Sequence, residues 1–171
     1  MLKCLENNPP LAAPPCKDLP WTLWTAARDG GAAAVRKIGA PVDAKEDDGD
    51  TALHWAASRD DPDAIRALIE CNADLEAKNN DGYTPLHTAA ETNSADAIRA
   101  LVELKADLEA KNKYGWTPLH EAAQWGHLEA ILALHELGAS LTTMDDGGNT
   151  ALAWAEKKDE QDAVMLLRKL Y

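Results

Sequence analysis

The sequence predicts an all-α solenoid of stacked helix-turn-helix units with projecting hairpin loops. Two observations support this: a strict 33-residue period, and the same helix-start and helix-end signals inside each copy of the period. A period of this size indicates supersecondary units that shield one another's apolar faces, and not one closed globule. The residues that keep the interval are Gly49, Gly82, Gly115 and Gly148; Thr51, Thr84, Thr117 and Thr150; and Leu53, Leu86, Leu119 and Leu152.

A first short helix is predicted after each periodic threonine. In the second full copy, Thr84 is a good N-cap and Pro85 occupies the one helix position where proline fits well. Leu86, Ala89 and Ala90 then recur at helical spacing and form an apolar stripe. The small alanines predict that neighbouring first helices approach one another closely.

A second helix follows after a short turn. Asp61 and Pro62 repeat the cap-then-proline signal, and Ile98, Leu101 and Val102 give the second helix of the next copy its buried stripe. The pattern therefore predicts two helices in each copy.

The turn between the two helices requires a residue that tolerates left-handed backbone geometry. Asn93 and Gly126 suit that position, whereas Asp60 is a poorer choice. The second helices are expected to end at Gly138, Asn72 and, with some strain, Lys105. Asp-Gly and Gly-Gly pairs then predict a hairpin-like loop into the next copy.

The domain organisation follows from these boundaries. Residues 1–20 form a Pro-rich extended leader, which is either a disordered tail or a segment ordered by the repeats or by a partner. The predicted units are a degenerate N-terminal capping repeat at 21–48, full repeats at 49–81, 82–114 and 115–147, and a C-terminal capping repeat at 148–171.

The strings TPLH at 84–87 and 117–120, and TALH at 51–54, resemble the ankyrin repeat. The Ala-Ala pairs that follow them and the 33-residue period strengthen the resemblance, which covers most of the chain. It implies L-shaped units of two antiparallel helices with a loop at right angles. It also implies that ligands meet a concave face made by hairpin tips and exposed first-helix positions.

The charge balance limits the kinds of partner. The formal net charge is −12 and the pI is near 4.7, which disfavours nucleic acid and anionic membrane surfaces and favours a basic partner. No apolar run approaches the ~18 residues of a membrane span. Glu6, Asn7, Asn8 and nearby prolines interrupt any signal-peptide core.

No residue pattern indicates catalysis, a cofactor or a metal. His54, His87 and His120 lie one repeat apart, too far to share a metal, and each is expected to bond to its capping threonine. No nucleophile elbow, phosphate loop or dinucleotide fingerprint occurs. Cys71 is expected to be a small buried hydrophobe, whereas Cys4 and Cys16 could bridge in an oxidising compartment.

Six of the nine aromatic residues fall at positions that the ankyrin resemblance assigns to the concave face. Trp and Tyr outside a core are typical of protein interfaces and their hot spots. For Trp55 and Trp154 the alternative is packing between adjacent first helices. The candidate protein-binding residues are Asp50, Trp55, Arg59, Tyr83, Glu91, Tyr114, Trp116, Glu121, Gln124, Trp125 and Trp154.

The sequence therefore predicts a non-enzymatic protein–protein interaction module without a cofactor. It would be an accessory or scaffold subunit of a larger assembly, and its concave aromatic and acidic face would bind a basic or amphipathic segment of another protein. The alternative is a free-standing adaptor or inhibitor that binds a basic segment transiently.

Overall fold

The computed structural model describes residues 42–171, and these residues form eight α-helices and no strand. The helices are α1 Ala52–Ser58, α2 Pro62–Glu70, α3 Pro85–Glu91, α4 Ala95–Glu103, α5 Pro118–Gln124, α6 Leu128–Glu136, α7 Ala151–Lys158 and α8 Gln161–Leu170. The predicted leader, most of the N-terminal capping repeat and the Cys4–Cys16 bridge lie outside the described residues.

The helices form a two-layered all-α solenoid, as the period predicts. The first helices α1, α3, α5 and α7 contact one another in sequence, and the second helices α2, α4, α6 and α8 do the same in the other layer. Each first helix also contacts the second helix that follows it. We call these four helix pairs, each with its preceding loop, the first, second, third and last units.

The core consists of the predicted leucines, isoleucines and alanines of successive units. Leu53, Leu86 and Leu119 are each about 1% exposed, and the alanines between them are closed to solvent. The alanines allow close approach of the first helices, because a larger side chain would overpack the contact. One continuous core therefore runs through all four units.

A buried histidine joins each of the first three units to the next. The Thr84 amide N–H donates to Nδ1 of His87 at 3.2 Å, and the Thr84 hydroxyl lies 2.9 Å from the same nitrogen. Because Nδ1 accepts, the ring proton is on Nε2, which donates to the Trp116 carbonyl at 2.9 Å. The threonine contact was predicted from sequence, whereas the bond to the next unit was not.

The other two histidines repeat this arrangement. His54 Nε2 donates to the Tyr83 carbonyl at 2.9 Å, and His120 Nε2 donates to the Asn149 carbonyl at 3.0 Å. Burial lowers the pKa of His87 to about 4 and also lowers the pKa of His54 and His120. The imidazoles are therefore neutral at pH 7, which keeps each Nδ1 free to accept.

The turns between helices adopt the predicted left-handed geometry. The φ angles are +55° at Asp60, +57° at Asn93 and +65° at Gly126. Asp60 nevertheless has a role that the sequence did not reveal, because its Oδ1 accepts from the Ala97 amide at 2.7 Å and so caps α4 of the next unit. Asn93 likewise caps α6 through the Ala130 amide at 3.0 Å. Asp60 is therefore not simply a poorer choice for the turn.

The loops between units are also tied together at intervals of one repeat. Lys45 Nζ donates to the Lys78 carbonyl at 2.7 Å, Lys78 Nζ to the Lys111 carbonyl at 2.9 Å, and Lys111 Nζ to the Met144 carbonyl at 2.9 Å. Each ammonium satisfies a carbonyl that no strand partner reaches. The hairpin loops are thus fixed relative to one another.

Leu86→Ala should destabilise the protein by ~2–5 kcal/mol, because Leu86 is buried in the continuous core and its truncation leaves a cavity there. The matched control is Leu132→Ala, since Leu132 is 37% exposed and its truncation leaves no enclosed cavity. Denaturant unfolding monitored by circular dichroism measures both. Equal stability of the Leu86 variant and the parent would contradict the continuous core.

Asp60→Ala should lower the free energy of unfolding by about 1–3 kcal/mol. The change removes the cap on α4 and forces an alanine into left-handed backbone geometry. Asp60→Gly loses only the cap and should cost less, and Asp60→Asn retains both functions and should match the parent. Thermal unfolding of the three variants ranks them. The same stability for all three would show that Asp60 does not cap the neighbouring unit.

Candidate functional site

The candidate site is the side of the stack that carries the hairpin tips at 47–50, 80–83, 113–116 and 146–149 together with the exposed positions of α1, α3, α5 and α7. We call it the inner surface. The periodic glycines give each tip the same tight turn, because their φ angles are positive (+83° at Gly49 and +73° at Gly115). The tips and first helices of adjacent units thereby form one continuous face.

An aromatic row crosses the third and last units of this surface. The ring centroids of Tyr114 and Trp116 lie 5.9 Å apart, and those of Trp116 and Trp154 lie 4.6 Å apart. Lys157 Nζ lies 4.9 Å from the Trp154 ring centroid on the last unit. Tilted rings at these distances attract one another, so the row is a fixed feature of the surface.

Two aromatic side chains at this end are strongly exposed. Tyr114 at a hairpin tip is 55% exposed, and Trp125 at the end of α5 is 54% exposed. Neither residue belongs to the core. Their apolar area remains available for burial by another molecule.

Trp55 and Trp154 are half-buried, and each is held by a carboxylate nine residues earlier. Trp55 Nε1 donates to Glu46 Oε2 at 3.2 Å, and Trp154 Nε1 donates to Asp145 Oδ2 at 2.7 Å. These bonds fix both indoles against the loops of their own units, and part of each ring stays at the surface. The pair of positions, one in the loop and one in the first helix, recurs in every unit.

In the third unit the same two positions are Asn112 and Glu121. Glu121 is fully buried; it accepts from Gln124 Nε2 at 2.7 Å, and Asn112 Nδ2 lies 3.4 Å from its other oxygen. Gln124 is also buried. The structure therefore places Glu121 and Gln124, both predicted binding residues, beneath the inner surface.

The half-buried Tyr83 joins this polar cluster through a hydrogen bond to Glu121. Burial raises the pKa of the Tyr83 phenol, as does its hydrogen bond to Glu121, so the hydroxyl remains protonated. Burial also raises the pKa of Glu121 to about 7, while its bonds from Tyr83 and Gln124 oppose that rise. Near neutral pH the Glu121 carboxyl is therefore divided between its protonated and ionised forms.

Asp145 occupies the position of Asn112 in the last unit, and the pKa of its carboxyl is lowered where that of Glu121 is raised. Burial alone would raise the pKa of its carboxyl, but N–H donors from Asn149, Trp154 and Gly147 outweigh burial and lower the pKa to about 2. Asp145 is therefore ionised, and its charge is satisfied internally at 2.7–3.2 Å.

The remaining predicted residues lie on the first two units. Asp50 is half-buried and accepts from Asn79 Nδ2 at 2.9 Å, whereas Arg59 and Glu91 are exposed. The structure therefore brings Tyr114, Trp116 and Trp154 together on the third and last units, away from the exposed acidic candidate Glu91, whereas Trp55 and Tyr83 lie on the first two units.

Two further observations concern residues 42–171 only. No three His, Cys, Asp or Glu side chains are grouped so that they could hold a metal ion. In this part of the chain, no helix has the length and apolar character needed to cross a membrane.

The fold and the repeated Thr–His links define a helical-repeat solenoid. The family model described as Ankyrin repeats (3 copies) matches residues 23–112 and 104–170, and the chain therefore belongs to the ankyrin-repeat family. A search of curated proteins found no significant match. Ankyrin repeats are generally protein–protein interaction modules and are typically non-enzymatic, which implies a protein partner.

Glu121→Gln should change the pH dependence of stability. A carboxyl with a raised pKa binds more protons in the folded state, so its contribution is present below the unfolded pKa near 4.5 and is lost as pH rises through about 7. The variant should therefore gain stability relative to the parent between pH 5 and pH 8, by up to about 3 kcal/mol.

Urea unfolding across that range measures the difference between variant and parent. The histidines titrate identically in both proteins, so their contribution cancels. Glu129→Gln is the control for the loss of an exposed carboxylate, because Glu129 lies exposed on α6. A flat difference between Glu121→Gln and the parent would contradict the burial of Glu121.

Proposed function

We propose that this ankyrin-repeat protein is a non-enzymatic accessory or scaffold subunit that binds another protein through its inner surface. The observation that carries the proposal is the row from Tyr114 through Trp116 to Trp154, together with the exposed Trp125 at the end of α5, all outside the core. Aromatic side chains with this exposure bury large areas at little entropic cost when a partner covers them.

The packing beneath the row favours a preformed site. Trp154 is fixed by its bond to Asp145, and the backbone of Trp116 is fixed by the bond from His87. Glu121 and Gln124 lie directly below the surface and are hydrogen-bonded to each other, and the half-buried Tyr83 is bonded to Glu121. A preformed surface loses little conformational freedom on binding, which favours affinity.

The charge of the surface favours a basic or amphipathic partner segment. Asp47, Asp48 and Asp81 project from hairpin tips and are exposed, and Glu91 is exposed on α3. Carboxylates at the rim of an aromatic site steer cationic partners and discourage anionic ones. The partner would therefore present lysine or arginine beside apolar side chains.

The chain's net charge of −12 also favours a second candidate, a free-standing adaptor or inhibitor held mainly by electrostatics. Affinity purification from the native source, followed by washing at about 1 M salt, distinguishes the two because the Debye length falls to ~3 Å. A stoichiometric partner that survives the wash supports the subunit. A partner lost in the wash supports the adaptor.

Trp125→Ala combined with Tyr114→Ala should weaken partner binding by at least ~2 kcal/mol, because two exposed aromatic anchors are removed. The fold should be unaffected, since neither side chain contributes to the core. Isothermal titration calorimetry with the purified partner measures the loss, and thermal unfolding checks the fold.

Met165→Ala is the matched control, because Met165 is 63% exposed but lies on the second-helix layer at α8. Its affinity should equal that of the parent. Unchanged affinity in the Trp125/Tyr114 variant, or an equal loss in the Met165 variant, would place the interface away from the inner surface.

A further inference from the structure

The exposed charges of the inner surface are unevenly distributed along the stack. In the first two units they are mainly carboxylates, namely Asp47, Asp48, Asp81 and Glu91, with Arg59 as the countercharge on the helical side. Asp50, half-buried behind the first tip, adds to the same negative field. This end of the surface is therefore acidic.

At the other end lysines occupy two of the equivalent positions. Lys113 stands at the hairpin-tip position that is Asp47 in the first unit, and Lys157 stands at the helix position that is Glu91 in the second. Lys158 follows in the last turn of α7, and all three side chains are exposed. Asp146, Glu156 and Asp159 are exposed carboxylates at this end, and Glu156 is paired with Arg168 of α8.

Two carboxylates near the aromatic row add little to its outward charge. Glu121 is fully buried within its cluster of hydrogen bonds. Asp145 is buried as well, and its oxygens are occupied by the donors of Asn149, Gly147 and Trp154. A molecule that approaches the row therefore meets the rings, the ammonium groups and the Asp146 carboxylate, but not the charges of Glu121 and Asp145.

We propose that the inner surface binds its partner segment in one direction, with a basic end over the first two units and an apolar end that carries a carboxylate over the third and last units. The basic end would lie against the carboxylates of the hairpin tips. The apolar end would cover the Tyr114–Trp116–Trp154 row, with its carboxylate beside Lys113 and Lys157. This inference rests on the function proposed above and adds the direction and chemistry of the bound segment.

The dimensions of the stack set the length of such a segment. Packed helices lie ~8–10 Å apart, so three steps from the first unit to the last span about 24–30 Å. An extended chain rises about 3.3 Å per residue, so a segment of about eight or nine residues covers that length. The basic residues and the apolar end with its carboxylate should therefore lie at opposite ends of a segment of that length.

Nuclear magnetic resonance titration of the isotope-labelled full chain tests the charge distribution directly. The probes are two capped tetrapeptides, tetralysine amide and tetraglutamate amide, at an ionic strength of about 10 mM where the Debye length is ~30 Å. Tetralysine should shift amide resonances at 47–50 and 80–83, and tetraglutamate should shift those at 113 and 157–158. Tetralysine shifts spread evenly over both layers of the stack would overturn the inference.

Charge reversal at three exposed tip carboxylates, Asp47→Lys with Asp48→Lys and Asp81→Lys, should weaken tetralysine binding by about tenfold at this ionic strength. The matched control reverses three exposed second-helix carboxylates, Glu103, Glu129 and Glu136, which changes the net charge equally. The control should alter binding by less than about twofold. Equal losses in the two variants would overturn the inference.

Direction is tested in the complex with the natural partner recovered by affinity purification. Photo-crosslinking residues placed singly at positions 81 and 158 should join to the basic and the apolar ends of the partner segment, respectively. Crosslinks in the reverse order, or both ends at both positions, would overturn the inference while the proposed function stood. A chain that retains no partner would overturn the proposed function and the direction with it.

Discussion

The bond from each buried histidine to the carbonyl of the next hairpin sets the register of the described stack. Through its two nitrogens the imidazole pairs with the amide at the start of its own helix and with a carbonyl of the next loop. Both bonds require a neutral imidazole, and the second requires that the next unit is in place. Because each unit buries its apolar stripe against the next, burial supplies the driving force and this bond supplies the alignment. The lysine bonds between loops and the cap from Asp60 to α4 extend the same alignment to both layers.

A stack aligned in this way leaves the inner positions free to differ between units. The first-helix position that faces the loop is Trp55, Thr88, Glu121 and Trp154 in successive units, and its loop partner changes with it. A carboxylate receives each indole N–H, whereas an amide faces Glu121. One scaffold thereby presents an acidic end and an aromatic, lysine-bearing end. The buried Glu121 layer lies at the transition between them.

Much of the scaffold could be predicted because its signals are local. Thr84, Pro85 and His87 lie within one helical turn, so the cap and the threonine–histidine contact follow from their spacing. The left-handed residues Asn93 and Gly126 were also predictable from their own conformational preferences. The burial of Glu121 and Gln124 was not, because it depends on Tyr83 one unit earlier. The sequence did contain one signal for the burial of Glu121. In the first and last units a loop carboxylate, Glu46 or Asp145, lies nine residues before a tryptophan of the first helix, and Glu121 occupies that helix position in the third unit.

The sequence by itself determined the repeat, the helix boundaries and the family, since a 33-residue period and its capping residues are properties of one unit. The tertiary structure decided which candidate residues face solvent, which carboxylates are satisfied internally, and that Asp60 caps a helix in another unit. The Asp60 cap and the bond from Tyr83 to Glu121 join residues about one repeat apart. Burial and hydrogen bonding across such contacts have no counterpart in local spacing, so only the assembled stack reveals them.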